Sequence, residues 1–230
     1  MALGFALARL RVSLARLFAQ RCFFLFLAQL AVLALAPVAF QSARGQTLLN
    51  LLDAAILLAA AAAVGRTTLS FGVAVVLAIA AMLLQFFAAR SGDDTLWTLY
   101  MACLAAYYAA VLVLLLAYVF RRDVMTTDKL WGAAAAYMLL GFTWAILYAL
   151  VQHHVPAAFA IGGTARDLDG PDLVYFSFTV LTSTGFGDIV PVRQPAKTVV
   201  VVQQVVGTLF VAILIARLID AYPGRRGDAG

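Results

Sequence analysis

Glutamate is absent from this chain. All eleven acidic residues are aspartates, and the four charged residue types make up 12% of the 230 residues, about half the share of an ordinary soluble protein. A hydrated globular surface cannot be built from so little charge. With 65% hydrophobic residues and a mean hydropathy of +0.99, the chain belongs among proteins whose main solvent is lipid. Cysteine is equally scarce: Cys22 and Cys103, both in apolar surroundings, offer neither a disulfide framework nor a metal-ligand spacing. Paired carboxylates, nucleophile–base constellations and metalloprotease patterns are also missing, so neither enzymatic activity nor a cofactor is expected. The net charge of +5 reflects where basic residues lie relative to a bilayer, and no nucleic-acid partner is read from it.

What is present is a series of apolar runs. Six are long enough to span, over 22–40, 47–64, 68–88, 96–120, 131–152 and 197–219. The first is followed at once by the second, with no small-residue cleavage pattern, so it is read as a retained span. Placing the N-terminus inside puts eleven Lys and Arg on the inner side and five on the outer side. Both termini are therefore expected to be cytoplasmic, and the outer loops carry most of the aspartates. Residues 1–21 place Leu10, Leu14, Leu17 and Phe18 on one helical stripe, which suits a basic helix on the inner leaflet or an extension of the first span. Trp97 with Tyr100, and Trp131, fall at span ends as interfacial anchors.

The segment over 170–191 departs from this pattern. Pro171 suits a first helical turn and Asp172 complements the positive end of a helix dipole, which predicts a helix over 171–182. Twelve helical residues rise about 18 Å, a little over half of a hydrocarbon core of about 30 Å. The residues over 183–187, extended, climb about 16 Å and bring the chain back to its own side. Such a re-entrant loop exposes backbone at membrane depth, which is tolerated where protein buries it or where it lines an aqueous path. Several copies around one axis satisfy that condition, their carbonyl oxygens replacing the hydration shell of an ion. An extended strand with all carbonyls on one side alternates between ordinary and left-handed backbone, which suits Gly185 and Gly187.

The run Thr182-Ser183-Thr184-Gly185-Phe186-Gly187-Asp188 resembles the signature Thr-Thr-Val-Gly-Tyr-Gly-Asp of the potassium channel family. The likeness is strong over about 131–219 and extends, in number of spans and hydropathy, to bacterial six-span tetrameric members. It implies an all-α membrane fold with six transmembrane helices and a re-entrant pore helix and filter between the fifth and sixth. The implied divisions are a basic amphipathic cytoplasmic N-terminus (1–21), a four-helix transmembrane domain (22–120), a pore domain (131–219) and a short cytoplasmic tail (220–230). Within the pore domain fall an outer helix (131–152), a pore helix (171–182), a filter (183–187) and an inner helix (197–219).

The resemblance further implies a homotetramer in membrane lipid, set in a bacterial plasma or inner membrane and conducting K+ passively. Thr182, Ser183, Thr184, Gly185, Phe186 and Gly187 would form the ion path, with K+ held at Ser183, Thr184, Gly185 and Phe186. Asp188, Tyr175, Phe176 and Thr179 would support it. Three positions depart from the signature. Ser183 keeps a hydroxyl but loses a methyl, Thr184 puts a hydroxyl behind the filter that needs a partner, and Phe186 lacks a phenol and packs on Tyr175 or Phe176. A non-selective cation channel of the same fold, or a transporter or sensor with a channel-like loop, are the alternatives.

In the sixth span Gly207 is read as a flexible inner-helix glycine or as a site of close helix packing. Thr208, Val211 and Ile215 form a stripe that would face a central cavity, and at least one of Gln203 and Gln204 should bond behind the filter. The fourth span holds no Lys or Arg, so weak voltage dependence is expected. Asp53, inside the second span, is read as a structural group near Gln46 or at the outer interface, with ion relay as the alternative. His153 and His154 are read as turret residues or as sensors of external acid. Arg217 and Asp220 are read as solvated charges at the cytoplasmic exit.

Overall fold

The fold is taken from a computed structural model, which describes residues 21–64, 68–121 and 126–221. The expected N-terminal helix over 1–21 and the tail over 220–230 therefore lie almost entirely outside the described residues. Long apolar runs give five long helices in succession: α1 (Arg21–Ala39), α2 (Ala43–Val64), α3 (Thr68–Ser91), α4 (Asp94–Val119) and α5 (Thr127–His154). A short helix α6 (Gly170–Leu181) and a long one, α7 (Gln194–Ala221), follow among the described residues.

Polar side chains mark the helix starts. Asp93 accepts from Thr95 N at 2.7 Å, Thr126 from Lys129 N at 3.3 Å, and Asp169 from Asp172 N at 2.8 Å. These caps explain the shifts from the expected bounds. The helix expected over 171–182 starts one residue early because Asp169, not Pro171, initiates it, and the helix expected over 131–152 starts at Thr127 because Thr126 caps it. The helix expected over 197–219 begins at Gln194.

Among the described residues, five helical segments are long and apolar enough to cross a membrane by length and composition: Arg21–Ala39, Gly72–Ser91, Asp94–Val119, Thr127–His154 and Gln194–Arg217. The expected second span forms a helix, but its described apolar stretch is the shorter Thr47–Ala60.

α5 is the hub, packing on α1, α4, α6 and α7, while α4 also lies against α3 and α2. Leu57, Tyr107, Val111, Leu115 and Leu139 are almost wholly buried where these helices meet. Trp131, read as an interfacial anchor, packs on Phe23 and Phe26 of α1 at 4.9 and 5.5 Å between ring centres.

A small sheet accompanies the helices. β1 (Phe159–Ile161), β2 (Thr164–Arg166) and β3 (Ile189–Pro191) form an antiparallel sheet in the order β2-β1-β3. Gly162 and Gly163, with φ of +58° and +81°, form the two-residue turn between β1 and β2, a conformation that suits the twist of the paired strands and suits glycine. β3 pairs with the other edge of β1, opposing Ile161 with Ile189. A second cluster, around Tyr148, Phe159, Phe176 and Ile189, lies beneath the sheet.

Candidate functional site

α6 packs against α5 and α7, and its seat is made by glycines on both. A Cβ on Gly141 of α5 would lie 2.6 Å from the Phe178 ring, and one on Gly207 of α7 would lie 2.9 Å from both Cδ1 and the carbonyl oxygen of Leu181. Close packing is thus the observed use of Gly207. At the other end of α6, a Cβ on Gly170 would strike Phe40 at 2.4 Å.

A polar network fastens the same helix from behind. Gln203, wholly buried on α7, donates through Nε2 to the Ser177 carbonyl (2.8 Å) and to Ser177 Oγ (3.0 Å), and its Oε1 accepts from the Tyr148 hydroxyl. Ser177 Oγ passes its own proton to the Gly141 carbonyl at 2.7 Å. Every donor in this set has an acceptor, as burial requires. Of the two glutamines expected to bond in this region Gln203 is the one that does; Gln204 is exposed. Tyr137 completes the support by donating to the Leu181 carbonyl at 2.9 Å.

The loop that leaves α6 is stitched to the end of the helix. Thr184 N and Gly185 N both donate to the Thr179 carbonyl, at 2.9 and 3.2 Å, and Ser183 N donates to the Val180 carbonyl at 3.0 Å. Thr182 spends its one hydroxyl proton on the Phe178 carbonyl at 2.8 Å. In the 2.8 Å contact between the Thr182 and Thr184 hydroxyls, Thr184 is therefore the donor. That contact supplies the partner which the Thr184 hydroxyl was expected to need.

Left-handed backbone then recurs at every second residue: φ is +56° at Ser183, +52° at Gly185 and +81° at Gly187, with Thr184 and Phe186 outside the positive-φ set. Successive carbonyls in a strand of alternating hand point to one side. Ser183 was not anticipated in this role, because a non-glycine residue pays about 1–2 kcal/mol for it. Residues 182–188 are all exposed on the single chain.

Phe186, 70% exposed, lies parallel to Tyr175 with ring centres 6.4 Å apart and 4° between planes. The Tyr175 hydroxyl donates to Asp188 Oδ2 at 2.8 Å, which joins α6 to the far end of the loop. That hydrogen bond, which holds the phenolic proton against Asp188, raises the Tyr175 phenol above its ordinary range. Phe176, the other candidate partner, instead packs on Tyr148 and Phe159 at 5.2 and 5.4 Å because it faces the opposite side of α6. Thr179 turns its hydroxyl back to the Phe176 carbonyl at 2.8 Å, so its contribution to the loop comes from its carbonyl. At the start of α6 burial and then the Asp169 carboxylate raise the Asp172 carboxyl above the ordinary aspartate range, opposed by Arg166 at 4.0 Å.

Other residues singled out from the sequence lie elsewhere. Thr208, Val211 and Ile215 are exposed along α7. Asp53 accepts from the Tyr108 hydroxyl of α4, a partner 55 positions away that local reading could not find. His153 stacks on Trp97 at 4.2 Å, 3.8 Å from Asp94, and so joins the start of α4 to the end of α5. Arg217, expected to be merely solvated, donates to the Arg121 carbonyl at 3.2 Å. Among the described residues no group of three or more His, Cys or Asp side chains is placed to hold a metal ion.

A family model described as "Ion channel" matches residues 108–222, which contain α5, the sheet, α6, the loop and all of α7. No curated protein and no solved structure matches the chain.

Proposed function

The chain belongs to the Ion channel family and is a non-enzymatic, multi-pass membrane protein; from that premise we propose that four copies assemble around one axis as a potassium-selective channel. The observation that carries this reading is the alternation of backbone hand over 183–187 at the end of a twelve-residue helix. Four such strands present stacked rings of oxygens to a dehydrated K+, held at Ser183, Thr184, Gly185 and Phe186. The exposed loop of a single chain could not sit at membrane depth alone, which is why the reading requires further copies. The C-terminal end of each α6 aims its partial negative charge at an ion entering the rings. Thr208, Val211 and Ile215, exposed on the single chain, line the path on the inner side.

In this proposal α2 completes six spans, both termini are cytoplasmic and the membrane is a bacterial plasma or inner membrane. Voltage dependence is weak, because α4 contains no Lys or Arg over Asp94–Val119 and each transferred charge contributes about 2.3 kcal/mol per 100 mV. Ion flux from liposomes tests the reading. Wild-type protein should release K+ in preference to Na+, and Gly185→Asp should abolish the release. Equal K+ and Na+ release would make the pore a non-selective cation channel, and saturable, counter-ion-coupled flux would make the protein a transporter.

A further inference from the structure

A cavity of about 350 Å³ lies between α1, α2, α4, α5 and the first turns of α6, within the range of small-ligand sites, about 300–1,000 Å³. Its walls are largely apolar, as with Leu104, Ile146 and Leu173, but one carboxylate, Asp53, lines it. No Lys or Arg stands among the residues that line the cavity. Tyr108 donates to Asp53 Oδ2, and among the described residues no hydrogen bond reaches Oδ1. Trp97, Tyr100 and Tyr108 add three aromatic rings to the same wall. A carboxylate with a free oxygen, aromatic faces and an apolar chamber together match one ligand chemistry. The anion and the ring faces attract a cation, the latter by their quadrupoles, and the apolar walls take up a hydrocarbon body.

We propose that this cavity binds a compact lipophilic amine, with its ammonium on Asp53 and its hydrocarbon body against the α5 and α6 walls. An occupant would touch the pore helix directly, through Gly170 and Leu173. The inference rests on the helix arrangement and not on ion selectivity, so its test measures binding rather than flux.

The experiment uses the full chain in lipid nanodiscs, with binding of 1-aminoadamantane and neutral 1-adamantanol read by ligand-observed NMR and signal from protein-free nanodiscs subtracted. Wild-type protein should bind the amine saturably and about tenfold or more tighter than the alcohol, the scale of one ion pair in a poorly hydrated site. Asp53→Asn should bring the amine to the level of the alcohol and leave alcohol binding unchanged, which also reports that the variant is folded. Asp53→Glu should keep the preference for the amine. Ala145→Phe, which puts a ring into the buried α5 wall, should remove both ligands. Equal wild-type affinity for amine and alcohol, no saturable amine binding, or an amine preference that survives Asp53→Asn would each overturn the proposal.

Discussion

The buried bond between Tyr148 and Gln203 offers a test of what holds α6 in place. Both side chains are wholly inaccessible, as is Ser177, so water cannot replace a lost partner. Tyr148→Phe removes one hydrogen bond and leaves Gln203 Oε1 without its donor, a cost of about 1–2 kcal/mol. Gln203→Met removes three bonds and strands the Tyr148 hydroxyl, while Ser177 Oγ keeps its acceptor on Gly141. We expect about 2–4 kcal/mol from this change, since stranding a buried donor adds to the lost bonds. The double variant no longer contains the stranded hydroxyl, so it should be hardly worse than Gln203→Met alone. The coupling between the two sites should then be about 0.6–1.7 kcal/mol, the scale of interhelical hydrogen bonds within membranes. Reversible unfolding in mixed micelles, run on the wild type, both singles and the double, yields this number. Additivity within about 0.3–0.5 kcal/mol would refute the claim that these two side chains share a bond in the folded protein.

Three further outcomes are expected. Gly207→Ala should destabilise the protein by about 1–3 kcal/mol, and the same change made in a Leu181→Ala background should cost less but not nothing, because the Leu181 carbonyl oxygen stands as close as the side chain; thermal melts of both singles and the double decide this. Gln29→Met should stabilise α1 in the same assay by about 1–3 kcal/mol, since both amide atoms of Gln29 are buried without a partner among the described residues. With its carboxyl raised, Asp172 takes up a proton at higher pH than an ordinary aspartate, so the folded state gains stability as pH falls through that raised value. Acid titration of stability should show this component in the wild type, and its persistence in Asp172→Asn would remove Asp172 as its source.

Much of the site was legible because its signals are local. Pro171 and Asp172 announce a helix start, and Gly185 and Gly187 announce left-handed backbone within a few residues of where each acts. The supporting structure was not legible, because it depends on partners far apart in the chain. Asp53 meets Tyr108 and Gln203 meets Tyr148, each 55 positions away. Nothing in the surroundings of either acid or amide names its partner. The sheet was missed for another reason: three-residue strands are too short to show alternation, and β3 finds β1 only after the chain has passed through α6. The Gly162-Gly163 pair was its one readable signal. Ser183 shows tertiary and local bonding overriding residue preference, since the bonds around Thr179 hold it in a conformation its side chain disfavours.

The loop over 184–188 is tethered at both ends, to the Thr179 carbonyl on one side and to β1 through β3 on the other. Within that fixed span, backbone hand changes with each residue, so the segment has a parity as well as a length. An insertion of one residue would exchange the two classes of position downstream, moving bulky side chains into left-handed backbone and glycines out of it. An insertion of two would keep the parity but leave surplus chain between tethers that do not move. The segment therefore tolerates substitution far better than any change in the number of its residues, and natural variation within it should be confined to side chains.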